Sequence, residues 1–98
     1  MDKDQAIRTL KAHEAELRAL GVQRLSLFGS LARGEAGPES DVDLAVTLDP
    51  ERKIGLFRYV ALQEHLADML GRKVDVVSEP ATKPRLQARI EQDRVHVF

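Results

Sequence analysis

The chain has no cysteine among its 98 residues, which excludes a disulfide framework and a thiolate metal site and makes the reducing cytosol its natural compartment. It also lacks an excess of either charge. Fifteen Lys and Arg oppose sixteen Asp and Glu, for a formal net charge of −1, so there is no uniformly positive surface for duplex nucleic acid or anionic lipid. Any polyanion has to be held locally. No stretch approaches the roughly 20 apolar residues of a membrane span, and no apolar segment follows the polar start Met1-Asp2-Lys3-Asp4. Repeats, low-complexity segments and linkers are absent as well. The expectation is a cytoplasmic protein without membrane contact, folded as a single domain over residues 1–98.

What is present supports a core: 43% of residues are hydrophobic and 32% charged, a balance unsuited to disorder. Ile7, Leu10, Leu17 and Leu20 form one stripe of an amphipathic helix over residues 2–20, which Gly21 stops. His13 lies near that stripe with no second His at helical spacing, so packing is its expected role. Residues 22–28 read as a strand that ends at Gly29, and the loop from there to Ser40 is the expected home of function. Residues 41–47 alternate strictly, with Val42, Leu44 and Val46 on one face and Asp41, Asp43 and Ala45 on the other, as in a half-buried strand. A long helix over 54–70, closed by Gly71, carries Leu56, Phe57, Val60, Ala61, Leu66, Met69 and Leu70, spread widely enough to face both a sheet and a partner. A strand over 74–77, a helix over 85–93 with Leu86 and Ile90 at i,i+4, and a strand over 94–98 complete an α/β or α+β layer on a small sheet.

The chemistry concentrates in residues 27–44. Asp41 and Asp43, two apart on a strand, project from one face about 7 Å apart along the backbone. Two like charges so placed are costly unless a cation neutralises them, and hard oxygen donors suit Mg²⁺. The strand before them runs straight into Gly29-Ser30, where glycine permits close backbone approach and the start of a short helix offers donors to a phosphate. Arg33, one turn on, can add charge to the same phosphate cluster. Together these make a triphosphate site with metal-assisted phosphoryl or nucleotidyl transfer as its reaction. Asp75, on the apolar strand Val74-Asp75-Val76-Val77, joins the pair if the two strands are neighbours, as a further metal ligand or as a proton acceptor. Gly29, Gly34 and Gly37 have neither Rossmann nor P-loop spacing, and the acids lack the Gly and distal Glu of an EF-hand loop.

Gly29-Ser30, ten intervening residues and Asp41-Val42-Asp43 compose G-S-x10-D-x-D, which resembles the signature of the polymerase-β-type nucleotidyltransferase superfamily. With each fixed residue at about 6–7% usage, chance yields this spacing in a chain of this size about once in 10³. Phe28, Ala32-Arg33-Gly34, Ser40 and the later Val74-Asp75-Val76 are also similar to what that superfamily carries. The length matches its minimal nucleotidyltransferase (MNT) family, commonly antitoxins paired with a HEPN-domain toxin, and residues 83–98 look like the C-terminus of that group. The resemblance implies a nucleotidyltransferase palm with a small mixed sheet, and transfer of AMP from ATP, with Mg²⁺, onto a tyrosine hydroxyl of the cognate HEPN toxin in a hetero-oligomer. It assigns Gly29, Ser30, Arg33 and Ser40 to the nucleotide and Asp41, Asp43 and Asp75 to metal and catalysis. A non-catalytic antitoxin that neutralises its partner by complex formation is the alternative. So small a palm orients an acceptor poorly by itself, so a partner surface is expected on the long helix, at Leu56, Tyr59, Val60 and Met69.

Overall fold

The computed structural model describes residues 1–98. Helices α1 (Lys3–Ala12) and α2 (Glu14–Ala19) lead into strand β1 (Val22–Phe28), the one-turn helix α3 (Gly29–Ala32), strand β2 (Val42–Leu48), helix α4 (Leu56–Leu70), strand β3 (Val74–Ser78), helix α5 (Pro84–Asp93) and strand β4 (Val95–His96). The sheet order is β3-β2-β1-β4. β1 runs antiparallel to β2 and β4, whereas β2 and β3 are parallel, the crossover between them being α4. This is the expected small mixed sheet with helices packed on it. None of the helices is long and apolar enough to cross a membrane.

Alternation along the strands divides the side chains between two faces. On the first, Leu25 and Leu27 of β1, Val42, Leu44 and Val46 of β2 and Val74 and Val76 of β3 form the main core with Ala6, Leu10 and Leu17 of α1 and α2. α4 contributes Leu62, Leu66 and Leu70, the i, i+4, i+8 stripe that follows from its periodicity. Gly71, at φ 64°, then ends the helix in the left-handed conformation that glycine adopts without penalty. The second face holds Phe28, Ala45 and Ile90 as a smaller core beneath α5, with Val77, Ala81 and Leu86 around it.

Several expectations from the sequence are corrected. The N-terminal helix is two helices, because His13 leaves the helical region at φ −106°, ψ 15°, and its ring Nδ1 lies 2.8 Å from the Thr9 carbonyl oxygen. A capping box between Asp2 and Gln5 starts the first of them. β2 is not half-buried in its middle: Ala45 is 1% exposed because α5 covers it. α4 begins at Leu56, after an extended Gly55. The final strand has two residues, because the backbone of Leu25 bonds to both Val97 and Phe98 and the regular ladder stops there.

Candidate active site

Asp41, Asp43 and Asp75 lie toward the second face, beyond the end of the small core under α5. Asp43 and Asp75 are direct partners in the parallel β2–β3 ladder, so the acid on the third strand does join the pair. Asp41 and Asp75 are exposed and Asp43 is half-buried. Burial pushes the Asp43 carboxyl up from its ordinary value, and the charges of Asp75 and then Asp41 push it further, against a weaker pull from Arg89 and Arg33. This is a crowded anionic cluster, and it favours a cation.

Gly29 closes the cluster from the side of β1. Its φ is +77°, and a β-carbon at this position would overlap Asp43 Oδ2 and stand 3.0 Å from Cγ. Both the turn and the close approach require glycine here. Phe28 is extended, and the first-turn amides of α3, which starts at Gly29, have no acceptors within the helix. The turn that opens α3 thus stands directly against the Asp43 carboxylate. Ser30, next in the turn, is partly exposed.

The remaining predicted residues are occupied differently. Arg33 donates from Nε to Glu35 at 2.9 Å and from Nη1 to Asp93 of α5 at 2.6 Å, so it ties α3 to α5 instead of reaching into the cluster. The Ser40 hydroxyl accepts from the Gly37 amide at 2.9 Å, and its carbonyl accepts from Arg72 at 3.2 Å. It shapes the loop that delivers Asp41. Of the α4 residues expected to face a partner, Leu56 and Val60 are 74% and 45% exposed, with Phe57 the most exposed at 91%. Tyr59 and Met69 instead pack against the main core, and the Tyr59 hydroxyl donates to the Val76 carbonyl on edge strand β3. Burial, then the charge of Asp75, raises the pKa of the Tyr59 hydroxyl above its ordinary value. A cleft of about 430 Å³ between α2 and α4, lined by Leu20, Ile54, Arg58, Ala61 and His65 among others, holds none of the three acids.

The donor set fits a magnesium ion brought with a substrate. No three acidic or histidine side chains stand together as a ready-made cage. Mg²⁺ is ordinarily held by one or two carboxylates with substrate phosphates and water completing its shell, and a carboxylate pair against a phosphate-type turn is that arrangement.

Residues 10–97 match the nucleotidyltransferase domain family model. The chain belongs to that family. This nucleotidyltransferase is 38% identical over 89 residues to the protein adenylyltransferase MntA of Thermococcus cleftensis, covering 90% of this chain and 88% of that one. A solved minimal nucleotidyltransferase is 35% identical, with a TM-score of 0.76 over 97% of this chain and 95% of that one. A toxin–antitoxin complex solved with AMP-PNP shares the fold at 22% identity, with a TM-score of 0.73 over all of this chain and 73% of that one. The nucleotidyltransferase is accordingly an enzyme of nucleotidyl transfer, on the palm architecture that its sequence resembles.

Proposed function

We propose that this nucleotidyltransferase transfers AMP from ATP to a tyrosine hydroxyl of a cognate HEPN-domain toxin, acting as its antitoxin. The observation that carries the reading is the contact of Gly29 with Asp43, itself paired with Asp75, which joins a phosphate turn to a carboxylate cluster. The relative named protein adenylyltransferase supports a protein as acceptor. Gly29 and Ser30 hold the triphosphate, and Asp41 and Asp43 hold Mg²⁺, with Asp75 completing the set from the edge strand. When bound, the ion neutralises phosphate charge and polarises the phosphoryl group. In the transfer, the tyrosine oxygen bonds to the α-phosphorus, the bond from that phosphorus to the bridging oxygen breaks, and pyrophosphate leaves while the hydroxyl proton passes to an acceptor in the carboxylate set.

A palm of this size offers little surface of its own to orient an acceptor, and orientation supplies much of the rate in such a reaction. The exposed apolar residues at the start of α4 flank Tyr59, which reaches β3, so a helical partner seated there lies around the sheet edge from Asp75. The test is incubation with α-labelled ATP, Mg²⁺ and the product of the neighbouring gene, followed by mass spectrometry. Label on a partner tyrosine, lost with Asp41→Asn or Asp43→Asn, is expected. A stable neutralising complex without label, unchanged in those variants, would establish the non-catalytic antitoxin instead.

A further inference from the structure

Two arginines lie where α5 packs on α3 and the second face of the sheet, Arg33 and Arg89, and their situations differ. Arg33 is held by Glu35 and Asp93. Arg89 is exposed and forms no ion pair within the chain. Its position is nevertheless well defined. The next residue, Ile90, is fully buried against Phe28 and Ala45. Phe28 immediately precedes Gly29, and Ala45 follows Asp43 by two on the same face of β2. The Arg33–Asp93 ion pair fastens α5 to α3 one turn further on. The backbone at Arg89 is therefore fixed beside the junction of the phosphate turn and the acids, while its guanidinium remains free.

A nucleoside triphosphate entering beside these carboxylates meets repulsion that one bound ion only partly offsets, and a planar guanidinium fork matches phosphate oxygens. We propose that Arg89 binds the triphosphate of the incoming nucleotide, giving the site a cationic wall on α5 opposite the Gly29 turn. The assignment rests on the transferase reading.

Titration calorimetry of the whole chain with Mg²⁺-ATP and with AMP tests it, comparing wild type with Arg89→Gln, Arg89→Lys and, one turn away on the same helix side, Arg85→Gln. Losing a charge-assisted bond to phosphate should weaken ATP binding about tenfold or more in Arg89→Gln. AMP, with fewer phosphate oxygens, should change less than about threefold, Lys should restore part of the loss, and Arg85→Gln should stay within about twofold of wild type. Thermal unfolding of Arg89→Gln should match wild type, which separates lost contact from lost structure. ATP binding by Arg89→Gln equal to wild type, or equal loosening of ATP and AMP, overturns the assignment alone. Failure of the wild-type chain to bind ATP overturns the transferase reading and the assignment with it.

Discussion

The Asp43 carboxylate fills the space that a β-carbon on Gly29 would occupy, so the residue that makes the turn after β1 also walls the acids. Gly34, at φ +74°, has the same backbone demand but nothing within 4 Å of a β-carbon. The two glycines separate conformation from contact. Gly34→Ala should lose roughly 1–2 kcal/mol of stability from its left-handed backbone, and Gly29→Ala should lose more, because Asp43 must also move. Denaturant unfolding of both measures the difference. Equal losses would mean that the Gly29–Asp43 contact relaxes freely.

Asp43→Asn should retain or gain stability while abolishing transfer. The carboxyl binds its proton more tightly folded than unfolded, so the folded state keeps protons that the unfolded chain has released. Stability then falls as pH rises through the folded value. Asn removes both that decline and the repulsion from Asp75 and Asp41. Melting temperature followed upward from the ordinary carboxylate range should therefore be flatter in the variant. Loss of folding would make Asp43 a structural residue.

On the opposite side of the same strand, Leu44 is 0% exposed within the main core. Leu44→Ala should cost about 2–5 kcal/mol, with the nucleotide site unaltered in any protein that remains folded. Unfolding and ATP binding measured on one preparation check both halves.

Glu79 carries the reverse pH dependence. Arg94 grips its carboxylate with two bonds, of 2.8 and 2.6 Å, and also bonds the buried Ser26 hydroxyl at 3.1 Å, which holds the chain beyond β3 against β1. The Arg94 bonds, against desolvation, keep Glu79 below its ordinary value. Its contribution is present above the unfolded carboxylate value and is lost as pH falls through the folded one. Glu79→Gln should cost about 1–3 kcal/mol at neutral pH, and the two proteins should converge in acid. A gap independent of pH would contradict the ion pair.

Much of this site was legible because its signals are local. The bounds of β1, the Gly29-Ser30 turn and the alternation from Asp41 follow from neighbouring residues, and Asp75 stood out as a charge on an apolar strand. Long-range partnerships were hidden. Arg33 pairs with a residue sixty positions away, which no local pattern encodes. Leu86 and Ile90 mark the buried side of the helix that carries Arg89, but only the packing of Ile90 on Phe28 and Ala45 brings that helix to the second face of the sheet. The same packing buries Ala45, which strand alternation alone left open.

The apolar start of α4 leads to the last prediction. Phe57 and Leu56 are 91% and 74% exposed, on a helix whose opposite side is anchored by Leu62, Leu66 and Leu70. Replacing both with Ser removes no core contact, so stability should change by about 0.5 kcal/mol or less for each, as for ordinary surface positions. Burying one large apolar side chain at an interface contributes about 1.5–3 kcal/mol, and each 1.4 kcal/mol is roughly tenfold in affinity. Affinity for the helical partner should therefore fall at least tenfold in Leu56→Ser with Phe57→Ser, and labelling of the partner should fall with it. ATP binding should persist, because both residues are outside the acid cluster. The measurements are partner Kd, melting temperature and ATP Kd on one double variant. An unchanged partner Kd would place the docking surface elsewhere, and a lost ATP site would show that α4 supports the acids directly through Tyr59 and β3.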